Sequence, residues 1–232
     1  MLDTQIPVPT RGRTFSARRR VRLSDLDASG RLRLDAIARF LQDIAIDDVQ
    51  ETGWGMPDHL WFVRSIRVDV HEPLAGDAVE LTTWCSGVAA IAAGRRWSLT
   101  GNSGGSIEVD SVWIHLDAEQ RPARIADFGA YAESAGGRHV STKLLLPDPP
   151  DEAPRVPWPL RATDVDRHGH VNNAVHWQAV EQLLATEGPL RAELDYRQPI
   201  DLGDELELVP FEGCLAFVAG GAVKAVARVA AT

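Results

Sequence analysis

Cysteine and lysine are scarce in this chain: of its 232 residues, only Cys85 and Cys214 are cysteines, and only Lys143 and Lys224 are lysines. Both cysteines lie in apolar, strand-like runs without Cys-x-x-Cys spacing, which points to reduced, buried thiols rather than a disulfide framework or a metal site. No cofactor and no metal are expected. No run of 18 apolar residues occurs, so no membrane insertion is expected either. The opening Met1-Leu2-Asp3-Thr4-Gln5 lacks the charged-then-apolar order of a signal peptide, and a cytoplasmic location is the expectation. Positive charge is also short. A net charge of -9 argues against general nucleic-acid binding, which depends on a basic surface. The local cluster Arg11, Arg13, Arg18, Arg19, Arg20 and Arg22 reads as a solvated, partly disordered arm, or else as a patch for a phosphate-bearing or acidic partner.

What the chain does have is 44% apolar residues, enough to bury a normal core, and one crowded polar segment. Residues 161 to 173 run Arg161-Ala162-Thr163-Asp164-Val165-Asp166-Arg167-His168-Gly169-His170-Val171-Asn172-Asn173 and lead into a helical pattern. A worn copy stands 139 residues earlier, from Arg22 to Leu34, pairing Asp25 with Asp164, Asp27 with Asp166 and Gly30 with Gly169. Two repeats are the economical reading.

After the first copy, Ile37, Phe40, Leu41, Ile44 and Ala45 recur at spacings of three and four, predicting a helix that stops near Gly53. After the second, Asn172 and Asn173 are good capping types, and Trp177, Val180 and Leu184 share a helical face beside Glu181. Strand patterns follow each helix: 61–70, 78–86, 95–100 and 109–116 in the first half, then 190–196, 205–209, 215–218 and 223–229 in the second. The stretch Pro147 to Pro154 is too rich in proline for a helix or a central strand. The organisation is therefore a first unit over 11–138, a linker over 139–158 and a second unit over 159–232. Each unit is one helix with an antiparallel sheet that can wrap around it, an α+β arrangement.

That layout, with Asp-x-Asp-x-x-Gly-His-Val-Asn-Asn opening the second helix, resembles the hotdog-fold thioesterases, and more specifically the acyl-ACP thioesterases, which fuse two hotdog units. The likeness runs through Trp61, Arg64, Pro73, Gly76, Asp77, Thr83, Trp84, Arg95 and Trp113 to Asp166–Asn173 and Leu194-Asp195-Tyr196-Arg197. It implies a tandem hotdog whose first half lines the acyl pocket and whose second half reacts, with an acyl carrier protein or CoA thioester as substrate. It also implies that Asp166 is the catalytic aspartate and His170 the histidine of the His-Val-Asn-Asn motif. Glu181 falls where some single-hotdog thioesterases use a helical acid. The chain departs from the plant pattern at His168, where those enzymes have asparagine, and at Pro199 and Ile200, where they have an acid and a cysteine. A cysteine nucleophile at that position is excluded.

Thioester hydrolysis needs an attacking water or carboxylate and donors for the oxyanion. Unpaired N–H groups at a helix start, from Val171 to Ala174, supply donors. Asp166 suits the base or the nucleophile, and His170 suits water orientation or proton sharing. His168 and Asn173 belong to the same cluster, Asn173 more as a positioning residue. Ile37, Phe40, Leu41 and Ile44, with Trp54 and Trp61 beyond them, are candidates for an acyl tunnel, and equally for plain core. The rival readings are an acyl-CoA thioesterase, a hotdog hydratase and an acyl-binding protein without turnover. Because two tandem units form by themselves the pair that single hotdogs make by dimerising, a monomer or a homodimer is expected.

Overall fold

The computed structural model describes residues 6–54, 60–184 and 187–232. The first five residues, where no signal sequence is expected, lie outside them. Ten strands make one antiparallel sheet. In chain order they are β1 (Thr14–Arg20), β2 (Leu60–Glu72), β3 (Ala78–Ala89), β4 (Ala92–Gly101), β5 (Ser106–Leu116), β6 (Val156–Pro157), β7 (Leu190–Tyr196), β8 (Leu206–Phe211), β9 (Cys214–Ala219) and β10 (Ala222–Ala231). Their order across the sheet is β1-β3-β4-β5-β2-β7-β10-β9-β8-β6. Reading outward from the central β2–β7 pair gives the same path on both sides, β5-β4-β3-β1 and β10-β9-β8-β6, so the molecule is two similar halves joined edge to edge. The seam pairs Ser65 with Asp195 through Val70 with Leu190. This is the expected tandem hotdog, with the two sheets merged.

Helix α1 (Leu34–Thr52) ends as its sequence predicts, on Gly53, whose φ of 63° is the left-handed geometry that closes a helix. Helix α3 (Asn173–Leu183) starts from Asn172, whose side chain accepts the Ala174 N–H at 2.9 Å. A short α2 (Ala130–Ala135) packs on β3. The apolar stripes of α1 and α3 enter one continuous core with both halves of the sheet, including Ile37, Phe40, Leu41, Ile44, Trp177 and Val180. Each such side chain contributes about 1.5–3 kcal/mol by leaving water.

Two features differ from the sequence expectation. The arginine-rich segment is not a disordered arm: residues 14–20 form β1, paired from Thr14↔Trp84 to Arg20↔Ala78, with exposed and half-buried residues alternating. Arg13, Arg18 and Arg19 are held by Asp48, Glu80 and Asp47 respectively. Within 139–158, Val156 and Pro157 form β6 against β8, the counterpart of β1 in the second half.

Candidate functional site

The two copies of the polar segment share one backbone pattern. Each opens with a 3-10 turn, Leu23–Asp25 and Ala162–Asp164. In each the acid closing that turn accepts the N–H three residues back, Arg22 to Asp25 at 2.8 Å and Arg161 to Asp164 at 2.8 Å. Each is pinned by a bridge, Leu26 with Leu32 and Val165 with Val171. The turn between demands a positive φ, supplied by Gly30 at 84° and Gly169 at 87°. The N–H of Asp27 then meets Arg31 O at 2.9 Å, and that of Asp166 meets His170 O at 3.0 Å. Both loops deliver the chain to the first turn of a helix.

The side chains then diverge. Asp27 is saturated: Oδ1 accepts the Ser29 N–H and hydroxyl and the Arg31 N–H, and Oδ2 accepts Arg31 Nε at 3.0 Å. Desolvation pushes its carboxyl up, but the Ser29 and Arg31 donors outweigh it and hold the pKa near about 2. Asp166, half-buried, accepts the His168 N–H on Oδ1 at 2.8 Å and only a long 3.4 Å contact from Asn172 Nδ2 on Oδ2. One of its oxygens is therefore largely uncommitted. His168 reaches the cluster through its backbone, while its exposed imidazole sits 3.4 Å from Arg167 Nε.

His170 does not bond Asp166 through its ring. Its Nδ1 lies 2.7 Å from Asp201 Oδ1. A carboxylate can only accept, so Nδ1 carries a proton, which leaves Nε2 as the acceptor of the neutral ring. Asp201 was not among the candidates read from sequence. It arrives because Val171 N–H bonds Ile200 O at 2.8 Å, drawing the β7–β8 loop against the start of α3. The only sequence signal is its place two residues after Pro199, where the expected acid is missing.

Asn173 opens α3. Its backbone carbonyl accepts the Tyr196 hydroxyl at 3.2 Å, and its own N–H has no partner among the described residues. Glu181 stands apart from Asp166 and serves the other helix. Its Oε1 accepts the Leu34 N–H at 2.9 Å and Arg31 Nη2 at 3.1 Å, capping α1, whose own N-cap Arg33 gives no side-chain cap. Burial pushes the Glu181 carboxyl up, against the Leu34 and Arg31 donors that pull it down.

The acyl-ACP thioesterase N-terminal domain model matches residues 12–128 and the acyl-ACP thioesterase C-terminal domain model residues 148–213. The chain belongs to the acyl-ACP thioesterase family. As a member it is a thiolester hydrolase. It is 28% identical over 208 residues to an uncharacterized Mycobacterium tuberculosis protein, covering 86% of this chain and 83% of that one. It is 23% identical to a chloroplastic oleoyl-acyl carrier protein thioesterase of Arabidopsis thaliana, over 74% of this chain and 55% of that one. Among solved structures, the fold is shared with an acyl-ACP thioesterase from Bacteroides thetaiotaomicron (TM-score 0.77, 17% identity, 93% and 96% covered). The 12:0-ACP thioesterase from Umbellularia californica shares it as well (0.75, 17%, 93% and 96%).

In this thioesterase the residues expected to line an acyl tunnel lie in the core of α1 and in an aromatic cluster beyond its end. Ile37, Phe40, Leu41 and Ile44 are between 0% and 7% exposed. Trp54 and Trp61 lie 6.0 Å apart at the far end of α1, packed with Phe128, Tyr131 and His115. Two surface cavities lie elsewhere: one of about 380 Å³ beside Arg138 and Ser86, and one of about 940 Å³ beside Asp27, Arg31 and Pro73. Among the described residues no helix is long and apolar enough to cross a membrane, and no group of three or more His, Cys, Asp or Glu is arranged to hold a metal.

Proposed function

We propose that the chain hydrolyses fatty acyl thioesters, with acyl-ACP as the substrate class, at the start of α3. The observation that carries this reading is the contrast between two loops of one backbone shape. In the first, Asp27, Arg31 and Glu181 satisfy one another. In the second, among the described residues, Asp166 keeps a carboxylate oxygen largely available and the Asn173 N–H has no partner, at a helix terminus whose dipole favours negative charge.

In the proposed reaction the thioester carbonyl oxygen lies at the Asn173 N–H. Asp166 takes a proton from water as the water oxygen adds to the carbonyl carbon. The tetrahedral oxyanion is held at the helix start, the C–S bond breaks, and the departing thiolate takes a proton. That proton is the one Asp166 took from water; His170 is assigned to relay it, accepting at Nε2 and releasing to the sulfur, while Asp201 holds the ring through Nδ1–H. Direct attack by Asp166 would use the same geometry.

The acyl chain is assigned to the side of α1 bearing Ile37, Phe40, Leu41 and Ile44, running toward Trp54 and Trp61. These side chains are close-packed, so an acyl chain must displace them.

The test is a thiol-release assay over acyl-ACPs of several lengths, with matched acyl-CoAs. Asp166→Asn is expected to lower kcat on the order of 10²- to 10⁴-fold, the range for losing a general base. Full activity in that variant would sink the assignment. Preference for CoA over ACP carriers would move the substrate class, not the chemistry. Ile44→Phe should shorten the preferred chain, and an unchanged length profile would remove α1 from the acyl path.

A further inference from the structure

The arrangement in the first half identifies a residue that the second half needs. Glu181 of α3 places a carboxylate oxygen 2.9 Å from the N–H of Leu34, the first residue of α1. One turn earlier on α3, Gln178 Nε2 meets Asp35 Oδ2 at 3.2 Å. As the index rises along α3 it falls along α1, so the helices pack antiparallel across the axis that relates the halves. The repeat spacing of 139 residues carries Leu34 onto Asn173, and Gln42 onto Glu181. By that repeat Gln42 of α1 stands to the first residue of α3 as Glu181 of α3 stands to the first residue of α1. Gln42 is half-buried and, among the described residues, its amide has no hydrogen-bond partner, as the Asn173 N–H has none.

We infer that Gln42 is a catalytic residue contributed by the first half, donating its side-chain amide N–H beside the Asn173 N–H to the oxygen of the reacting carbonyl. The Glu181 carboxylate marks the spot: an anionic oxygen at a helix start, held by one backbone N–H and one side-chain N–H of Arg31. In the first half that oxygen belongs to the protein, which closes the position to substrate. In the second half the corresponding residue is a neutral amide that makes no bond to the Asn173 N–H among the described residues, so the place is open and a donor replaces a repelling charge. Two donors on a preorganised helix start are what a thioester oxyanion requires. The proposal rests on the thioesterase reading above.

Gln42→Ala, Gln42→Glu and Asp166→Asn are compared by thiol release from one acyl-ACP, with circular dichroism and thermal midpoints as folding controls. Gln42→Ala is expected to lower kcat by about 10²-fold with KM little changed, the signature of a contact made in the transition state. Gln42→Glu, which rebuilds the first-half closure, should be weaker still. Wild-type kcat in both Gln42 variants, or a change confined to KM, overturns the proposal. If those variants are active while Asp166→Asn is not, the thioesterase reading stands and Gln42 falls. If Asp166→Asn is fully active, that reading itself fails. Alanine on a half-exposed helical position costs little, so Gln42→Ala decides even if Gln42→Glu folds poorly.

Discussion

Asp201 holds the one ring nitrogen of His170 that bonds to another side chain, and it stands 31 residues away in sequence. Nothing local in the chain announces that contact, because it depends on the β7–β8 loop meeting the start of α3 through the Val171 to Ile200 bond. Asp166, His170 and the capping Asn172 were legible since they form one short motif ahead of a helical pattern. Glu181 was legible as an acid beside the helix face, but its partner on the other helix was not. Asp201→Ala should leave the His170 ring free to turn. The expected result is a fall in kcat of roughly 10-fold, part of the 10²- to 10⁴-fold that acid–base groups supply. An unaltered kcat and pH–rate profile would show that Asp201 does not support His170.

At the scale of elements, α3 carries a stability liability within its first turns. His176 is 5% exposed, its ring 5.1 Å from Tyr196 and 4.9 Å from Phe217, and its Nδ1 has no partner. Burial outweighs the opposing pull of the Asn172 and Asn173 backbone and lowers its pKa from 6.5 to about 4. The unfolded chain therefore binds this proton between pH 6.5 and 4 while the folded chain does not, so stability falls as pH drops through that window. The full loss is on the order of 3 kcal/mol by pH 4. Denaturant midpoints at pH 7 and 5 should separate strongly in the wild type and less in His176→Phe, and equal separations would refute the assignment. Strands 190–196 and the longer strands of the first half were legible from β-branched runs between turns. β1 was not, because its Thr-Phe-Ser-Ala-Arg-Arg-Arg sequence has few apolar residues, and only pairing with β3 makes it a strand.

For the whole molecule, the doubling was readable from the repeated loop, whereas the fusion of both halves into one sheet was not. The β2–β7 seam and the α1–α3 contact give each half part of its core from the other. Residues 159–232 alone would expose the seam edge of β7 and the inner face of α3. They should show little ordered structure by circular dichroism, while the full chain unfolds in a single cooperative transition. A stably folded fragment would show the halves to be independent. The outer rims have a different consequence. An open sheet offers a template for further strands at each end unless something blunts it. One rim here is β1, presenting exposed Arg18 and Arg20, whose like charges would face each other in any rim-to-rim pairing. The opposite rim is a two-residue strand ending in Pro157, which has no N–H to offer a newcomer. Among the described residues the sheet has ten strands and does not close into a barrel, and charge at one border and a missing donor at the other oppose its extension.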